Sequence, residues 1–200
     1  MAITLGGVVF CIDAIKYDYH IAETIRCLQE CCDEVIVLDA GSMDGTVELI
    51  KIFENQKTHV VCLERVEWEK QHGREKLSYF QNLALSFLTT DYYILCQADE
   101  IVLESCFPAI RNAISTGKEG FVCSRVNLWG SPDTYINVPE NRQPCSTRVV
   151  RIAKTRYQSI DDGESIAVIP NTDFVNDIRI YHYGFVRKKD VMKAKVWNMQ

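Results

Sequence analysis

Asp33-Glu-Val-Ile-Val-Leu-Asp39-Ala-Gly41-Ser42-Met-Asp44-Gly45-Thr46 is the stretch from which the fold can be read. Residues 34–38 form a short apolar run that suits a buried strand and is too brief for an ordinary helix. The run stops on Asp39. Gly41 and Gly45 permit tight backbone turns, and Ser42 or Asp44 can cap a helix beginning near Thr46. Beyond that turn, Val47, Ile50 and Phe53 share one helical face over residues 46–53.

The same alternation extends both ways. Residues 5–12 read as a strand, and Ile21, Ile25, Leu28 and Cys32 form a helical stripe before Asp33. Residues 58–63 read as a third strand. Leu77, Phe80, Ala84, Phe87 and Leu88 make another helical stripe, and residues 92–96 a fourth strand. Strands alternating with helices predict an α/β fold, with a mainly parallel central sheet and helices on both faces. The second half changes character. Residues 121–129, 147–152 and 178–185 read as strands, with a polar, proline-containing stretch over 130–144 and a turn at Asn171-Thr-Asp. Residues 187–200 are helical in pattern and lack a glycine cap or proline stop. That fits either a natural terminal helix or a chain that continues.

Two hundred residues, with no polar linker and no internal repeat, predict one domain over 1–200. The 22 basic and 27 acidic side chains give a net charge of −5, which argues against a broadly basic nucleic-acid-binding surface. No apolar run reaches the roughly eighteen residues that span a bilayer. The N-terminus also lacks the basic region and cleavage pattern of a signal peptide. The nine cysteines are odd in number and mostly sit in apolar runs, as reduced thiols used as small hydrophobes do. Cys27, Cys31 and Cys32 have no partner at zinc-finger spacing. A reducing, cytoplasmic setting is the expectation.

In open parallel sheets, ligands bind at the carboxyl ends of the strands. Asp13, Asp39, and Asp99 with Glu100 all fall at such ends. Any one of them alone reads as a helix cap; together on one edge they predict a site. Gln97-Ala-Asp99-Glu follows an apolar strand, where a hard oxygen ligand suits Mg²⁺ or Mn²⁺ with diphosphate oxygens completing the shell. His182, in Ile178-Arg-Ile-Tyr-His-Tyr-Gly184, could add an imidazole from across the cleft, although a lone histidine in an apolar strand is more often structural.

The strand at 8–12, DEVIVLDAGSMDGT at 33–46 and YYILCQADE at 92–100, in this order and spacing, resemble the inverting family 2 glycosyltransferases of the GT-A fold. YHYGFVRKK at 181–189 is similar to the C-terminal segment of a branch seen in bacteria, phages and large viruses. The resemblance spans residues 5–195 and implies a Rossmann-type GT-A sandwich. Residues 1–100 would form the nucleotide-sugar half and 101–200 the acceptor half. Asp39 would contact the base of a uridine-based sugar-diphosphate donor, with Asp13, Gly41 and Ser42 lining that pocket. Asp99 would take the metal role of the last residue in the family's Asp-x-Asp motif. Here Gln97 replaces the first aspartate, which raises the importance of His182 as a second ligand for Mn²⁺ or Mg²⁺. Arg187, Arg74 and Lys76 are candidates to meet the diphosphate.

Inverting transfer needs a base near the acceptor hydroxyl, and the turn Asp161-Asp162-Gly163-Glu164 offers Asp162 or Glu164. The acceptor itself, whether a glycan, a lipid-linked sugar, a protein or a modified nucleic acid, is not spelled out by these residues. Trp68, Trp129 and Tyr135 are read as packing. A non-catalytic nucleotide-sugar-binding module is the alternative, favoured by Gln97. A sugar nucleotidyltransferase is excluded because residues 11–19 contain no glycine. Walker and dinucleotide-binding glycine motifs are absent as well.

Overall fold

The computed structural model describes residues 2–73, 75–142, 145–160, 163–167 and 171–198. Strands β1 (Leu5–Cys11), β2 (Glu34–Asp39), β3 (Thr58–Cys62) and β4 (Tyr92–Leu95) alternate with helices α1 (Ile21–Cys31), α2 (Thr46–Lys51), α3 (Arg65–Lys70) and α4 (Lys76–Leu85). Then follow β5 (Glu100–Val102), α5 (Phe107–Ser115), β6 (Gly120–Trp129), β7 (Ser131–Tyr135) and β8 (Arg148–Lys154). A small hairpin of β9 (Ser159–Ile160) and β10 (Ser165–Ile166) precedes the long β11 (Thr172–Phe185) and α6 (Lys189–Asn198).

One sheet runs through both halves in the order β3-β2-β1-β4-β8-β6-β11-β5, with β7 paired to β6. β1 lies parallel to β2 and β4, and β3 parallel to β2. β8 runs antiparallel between β4 and β6, which turns β6 and its parallel partner β11 back into the direction of β1. The chain is thus an α/β fold whose sheet is mostly parallel.

Period-two alternation divides the core between the two faces of the sheet. Val9 and Cys11 pack with Ile25 and Leu28 of α1 and Ile110 of α5, whereas Val8 and Phe10 pack with Phe80 and Ala84 of α4. β1 is buried along its whole length, as a strand covered by helices on both sides must be. All nine cysteines are free thiols and seven are buried. Among the described residues, no helix is long and apolar enough to cross a membrane.

The differences from the sequence reading lie mostly in the second half. β11 begins at Thr172, so Asn171-Thr-Asp opens a strand; only Asn171 has the positive φ of a turn, at 99°. The first residues of β11 are largely exposed and a bulge separates Val175 from Arg179, which removes the apolar alternation that would have marked a strand. β7 lies within the stretch read as a polar connection, and the three-residue β5 is too short to leave a pattern. α2 ends at Lys51, with Phe53 just beyond it.

Candidate active site

The carboxyl ends of β1 and β2 are knitted together by side chains aimed at backbone. Asp39 ends β2 and is fully buried. Its Oδ1 accepts the N–H groups of Gly41 and Ser42 at 2.9 and 2.8 Å, and its Oδ2 accepts the Ser42 hydroxyl. Gly41 has φ +93°, and a Cβ there would stand 2.5 Å from the Arg65 Cα, so the turn requires glycine on two counts. Ser42 Oγ in turn accepts the Asp13 N–H at 2.7 Å. Asp13, itself at φ 45°, accepts the Met43 N–H on Oδ1 and meets Arg65 Nη1 on Oδ2, both at 2.9 Å. Asp44, one residue before the Gly45 that caps α2, accepts the Thr46 N–H and hydroxyl at 3.1 and 2.6 Å, and also takes the Lys16 N–H.

Arg65 was missed in the sequence. It opens α3 just after β3, and its guanidinium also reaches the Gly41 carbonyl at 3.2 Å. The strand-end rule that selected the three aspartates would have selected it too, had the rule been applied to cations.

Beside this knot, at the ends of β1 and β4, lies a partly open cleft with a cavity volume of about 80 Å³. Phe10, Cys11, Ile12, Tyr19 and Trp68 are in its lining, and Gln97 and Asp99 are among its polar residues. Trp68 stacks on Phe80 with ring centres 5.3 Å apart, and Lys76 Nζ lies 3.7 Å from the Trp68 ring centre. Burial, with a smaller contribution from Arg65, lowers the Lys76 pKa. Trp68 therefore lines the cleft as well as packing. Trp129 and Tyr135 are both more than half exposed on the β6–β7 hairpin.

Around Asp99 the fold gathers residues far apart in the chain. β11 lies antiparallel to β5 with His182 opposite Glu100, which carries His182 to Asp99. His182 Nε2 faces Asp99 Oδ1 at 3.8 Å, and both side chains are almost wholly buried. Asn127 Oδ1 is 2.9 Å from His182 Nδ1, while Asn127 Nδ2 donates to the Cys145 carbonyl at 3.1 Å. That second bond fixes the amide's orientation, so Asn127 accepts from Nδ1–H. In the neutral ring the lone pair then sits on Nε2, directed at Asp99. A hard carboxylate oxygen and an imidazole nitrogen at this spacing fit a divalent cation between them. Among the described residues no group of three or more His, Cys, Asp or Glu gathers for a metal, so any remaining ligands would be water and substrate oxygens.

Arg187 stands behind this pair. Its Nη2 meets Asp99 Oδ2, its Nη1 donates to the Tyr17 carbonyl at 2.9 Å, and its guanidinium lies 4.1 Å from the Tyr19 ring centre. The side chain has no exposed surface. In this arrangement Arg187 fixes the Asp99 carboxylate and does not open onto the cleft, the position expected of a diphosphate ligand. Glu164 lies near the strand ends of the second half, 3.2 Å from Arg125 Nη2 and 3.2 Å from the Ser146 hydroxyl. Burial alone would raise its pKa, but Arg125 and Ser146 outweigh burial and lower it. Asp162 and Arg74 lie outside the described residues.

The profile of glycosyl transferase family 2 matches residues 20–173. No curated protein matches the sequence. Among solved structures, S. aureus TarS 1–349 superimposes with a TM-score of 0.60 at 13% identity, over 91% of this chain and 61% of that one. Its complex with UDP-GlcNAc gives 0.62 at 11% identity, over 96% and 61%. Its complex with UDP gives 0.61 at 13% identity, over 90% and 60%. The chain spans about three-fifths of that fragment, and at these identities the likeness is one of fold. The profile match covers well over half of the residues, Asp39 and Asp99 among them and Asp13, His182 and Arg187 beyond its ends, and on that ground the chain belongs to glycosyl transferase family 2.

Proposed function

We propose that this chain transfers a sugar from a nucleotide-diphosphate donor, a UDP-sugar, to an acceptor hydroxyl with inversion and with metal assistance. The observation that carries the reading is the cleft at the ends of β1 and β4 with Asp99 in its lining, and His182 Nε2 lying 3.8 Å from Asp99 Oδ1. The UDP and UDP-GlcNAc complexes of TarS support a uridine donor. The nucleoside would lie along the knot of Asp13, Asp39, Gly41 and Ser42, with Trp68 as a wall against which a base can stack. Because the Asp39 carboxylate is engaged by its own turn, its part in that pocket is to shape the backbone around the base.

Asp99 and His182 would hold Mn²⁺ or Mg²⁺, with Arg187 keeping the carboxylate in register and Asn127 keeping the imidazole in its ligating tautomer. Bound there, the ion supplies the positive charge that stabilises the departing diphosphate. The residues at 162–164 provide the carboxylate that accepts the acceptor's proton, with Glu164 already ionised. The acceptor belongs to the second half of the chain. Free thiols and the absence of a spanning helix among the described residues fit a cytoplasmic place, and the shared sheet fits one catalytic domain.

Calorimetric titration of UDP with and without Mn²⁺, into wild type and Asp99→Ala, tests this reading. Metal-dependent binding that disappears in the variant is the expected result. Binding without metal would remove the metal from the proposal, and failure to bind any nucleotide would remove the transferase reading. Gln97 in place of a carboxylate favours a second reading, a binding module without turnover. A wild type that binds UDP-sugars but neither hydrolyses nor transfers them would establish it.

A further inference from the structure

Behind the cleft lies a cluster of charges that the transfer scheme above leaves without a task. Glu100 at the start of β5, Arg125 of β6 and Arg151 of β8 have no exposed side-chain surface. Glu100 Oε1 meets Arg151 Nη2 at 2.7 Å and Arg125 Nη1 at 3.3 Å. Its other oxygen accepts the Gln97 N–H at 3.0 Å, which ties the cluster to the turn that carries Asp99. Both arginines then reach the far side. Arg125 Nη2 is 3.2 Å from Glu164 Oε1, and Arg151 Nη1 donates to the Gly163 carbonyl at 3.0 Å. Gln81 of α4 donates to the same carbonyl at 3.2 Å.

Two carboxylates and two guanidiniums make a neutral quartet. Burial alone would raise the Glu100 pKa, but Arg151 and Arg125 outweigh it and hold the carboxyl ionised. Such a cluster is an expensive way to fasten strands, since apolar side chains of similar volume usually pack there at no loss of stability. What a guanidinium adds is direction, because its planar fork fixes the angle and spacing of two partners at once. Here each fork has one arm on Glu100 and the other on residues 163–164.

We infer that Arg125 and Arg151 are positioning residues for sugar transfer, holding the Gly163–Glu164 segment in register with the Asp99 turn through their shared anchor, Glu100. The inference rests on the transferase reading of the cleft. Neither arginine needs to touch substrate. Their effect is on the alignment of the acceptor side with the leaving diphosphate, and misplacement on this scale acts on turnover more than on donor binding.

The test uses Arg125→Gln, Arg151→Gln, Arg125→Lys and Ser146→Ala. Each is compared with wild type for UDP affinity by calorimetry, for kcat and KM of UDP-sugar hydrolysis with UDP-GlcNAc as first donor, and for melting temperature. In the glutamine variants, UDP affinity and donor KM should stay within roughly threefold of wild type while kcat falls about a hundredfold. Arg125→Lys, which keeps a charge able to reach one carboxylate, should recover part of that kcat. Ser146→Ala removes the hydroxyl bond to Glu164 while keeping the Ser146 carbonyl that accepts Arg125 Nε at 2.8 Å, and should lower kcat severalfold with UDP affinity unchanged. Folded glutamine variants with wild-type kcat, or kcat and UDP affinity lost in parallel, would overturn the inference. If the glutamine variants do not fold, Ser146→Ala decides, and an unchanged kcat there overturns it. A wild type that neither binds UDP nor hydrolyses any UDP-sugar overturns the transferase reading first, and this inference with it.

Discussion

At Asp39 and Gly41 the geometry of single residues shapes the turn that ends β2. The Asp39 carboxylate accepts the two N–H groups of the turn that follows it, and Gly41 occupies a φ that side-chain-bearing residues avoid. Gly41→Ala would incur both the left-handed strain and a collision with the Arg65 backbone. It should cost about 2–4 kcal/mol, read as a fall in the urea midpoint. Asn127 Oδ1, 2.9 Å from His182 Nδ1, sets the tautomer of that ring. Asn127→Ala should lower the Mn²⁺-dependent component of UDP affinity roughly tenfold and leave metal-free binding unchanged, a contrast visible in paired calorimetric titrations. The aspartates at strand ends were legible in the sequence because turn chemistry is local. The position of Arg65 past a strand end was legible in the same way, but its pairing was not, because its partners Asp13 and Gly41 lie 52 and 24 residues away.

At the scale of elements, β5 is a three-residue edge strand held by charge as much as by its ladder with β11. Its Glu100 has a folded-state pKa below the ordinary 4.5, since the attraction of Arg151 and Arg125 exceeds the penalty of burial. The unfolded chain therefore takes up this proton at higher pH than the folded one. The stabilisation is complete above about pH 4.5 and is lost as the pH falls through the folded value. Urea midpoints measured from roughly pH 6 to 3 should decline, and Glu100→Gln should make that decline shallower. The same substitution leaves the buried Arg151 without its carboxylate and Arg125 with Glu164 alone, and should cost about 3–5 kcal/mol at neutral pH. β7 and the first residues of β11 were missed for a related reason. Their largely exposed side chains follow no buried face, so no alternation appears in the residue order.

Across the whole molecule, the β4–β8 pairing joins a parallel half to a mixed half in one sheet. Two cores, one on each face, run along it, and the larger one contains residues from both halves, among them Val9, Ile94, Phe121 and Ile180. Unfolding should be a single cooperative transition, with near- and far-ultraviolet circular dichroism changing together in urea. Separate transitions would show two independently stable halves.

Residue order alone determined the parallel half: four apolar runs, the helical stripes between them, and the Asp39–Thr46 turn chemistry. Those features follow from burial periodicity and backbone conformation, which act over a few neighbouring residues. The tertiary structure decided the rest. Asp99 and Arg187 are 88 residues apart, His182 and Asn127 are 55, and Arg151 and Glu100 are 51. Each pairing exists because β11 returns between β6 and β5, and β8 between β4 and β6. An ion pair or a ligand set is a statement about distance in space, and no local pattern encodes it.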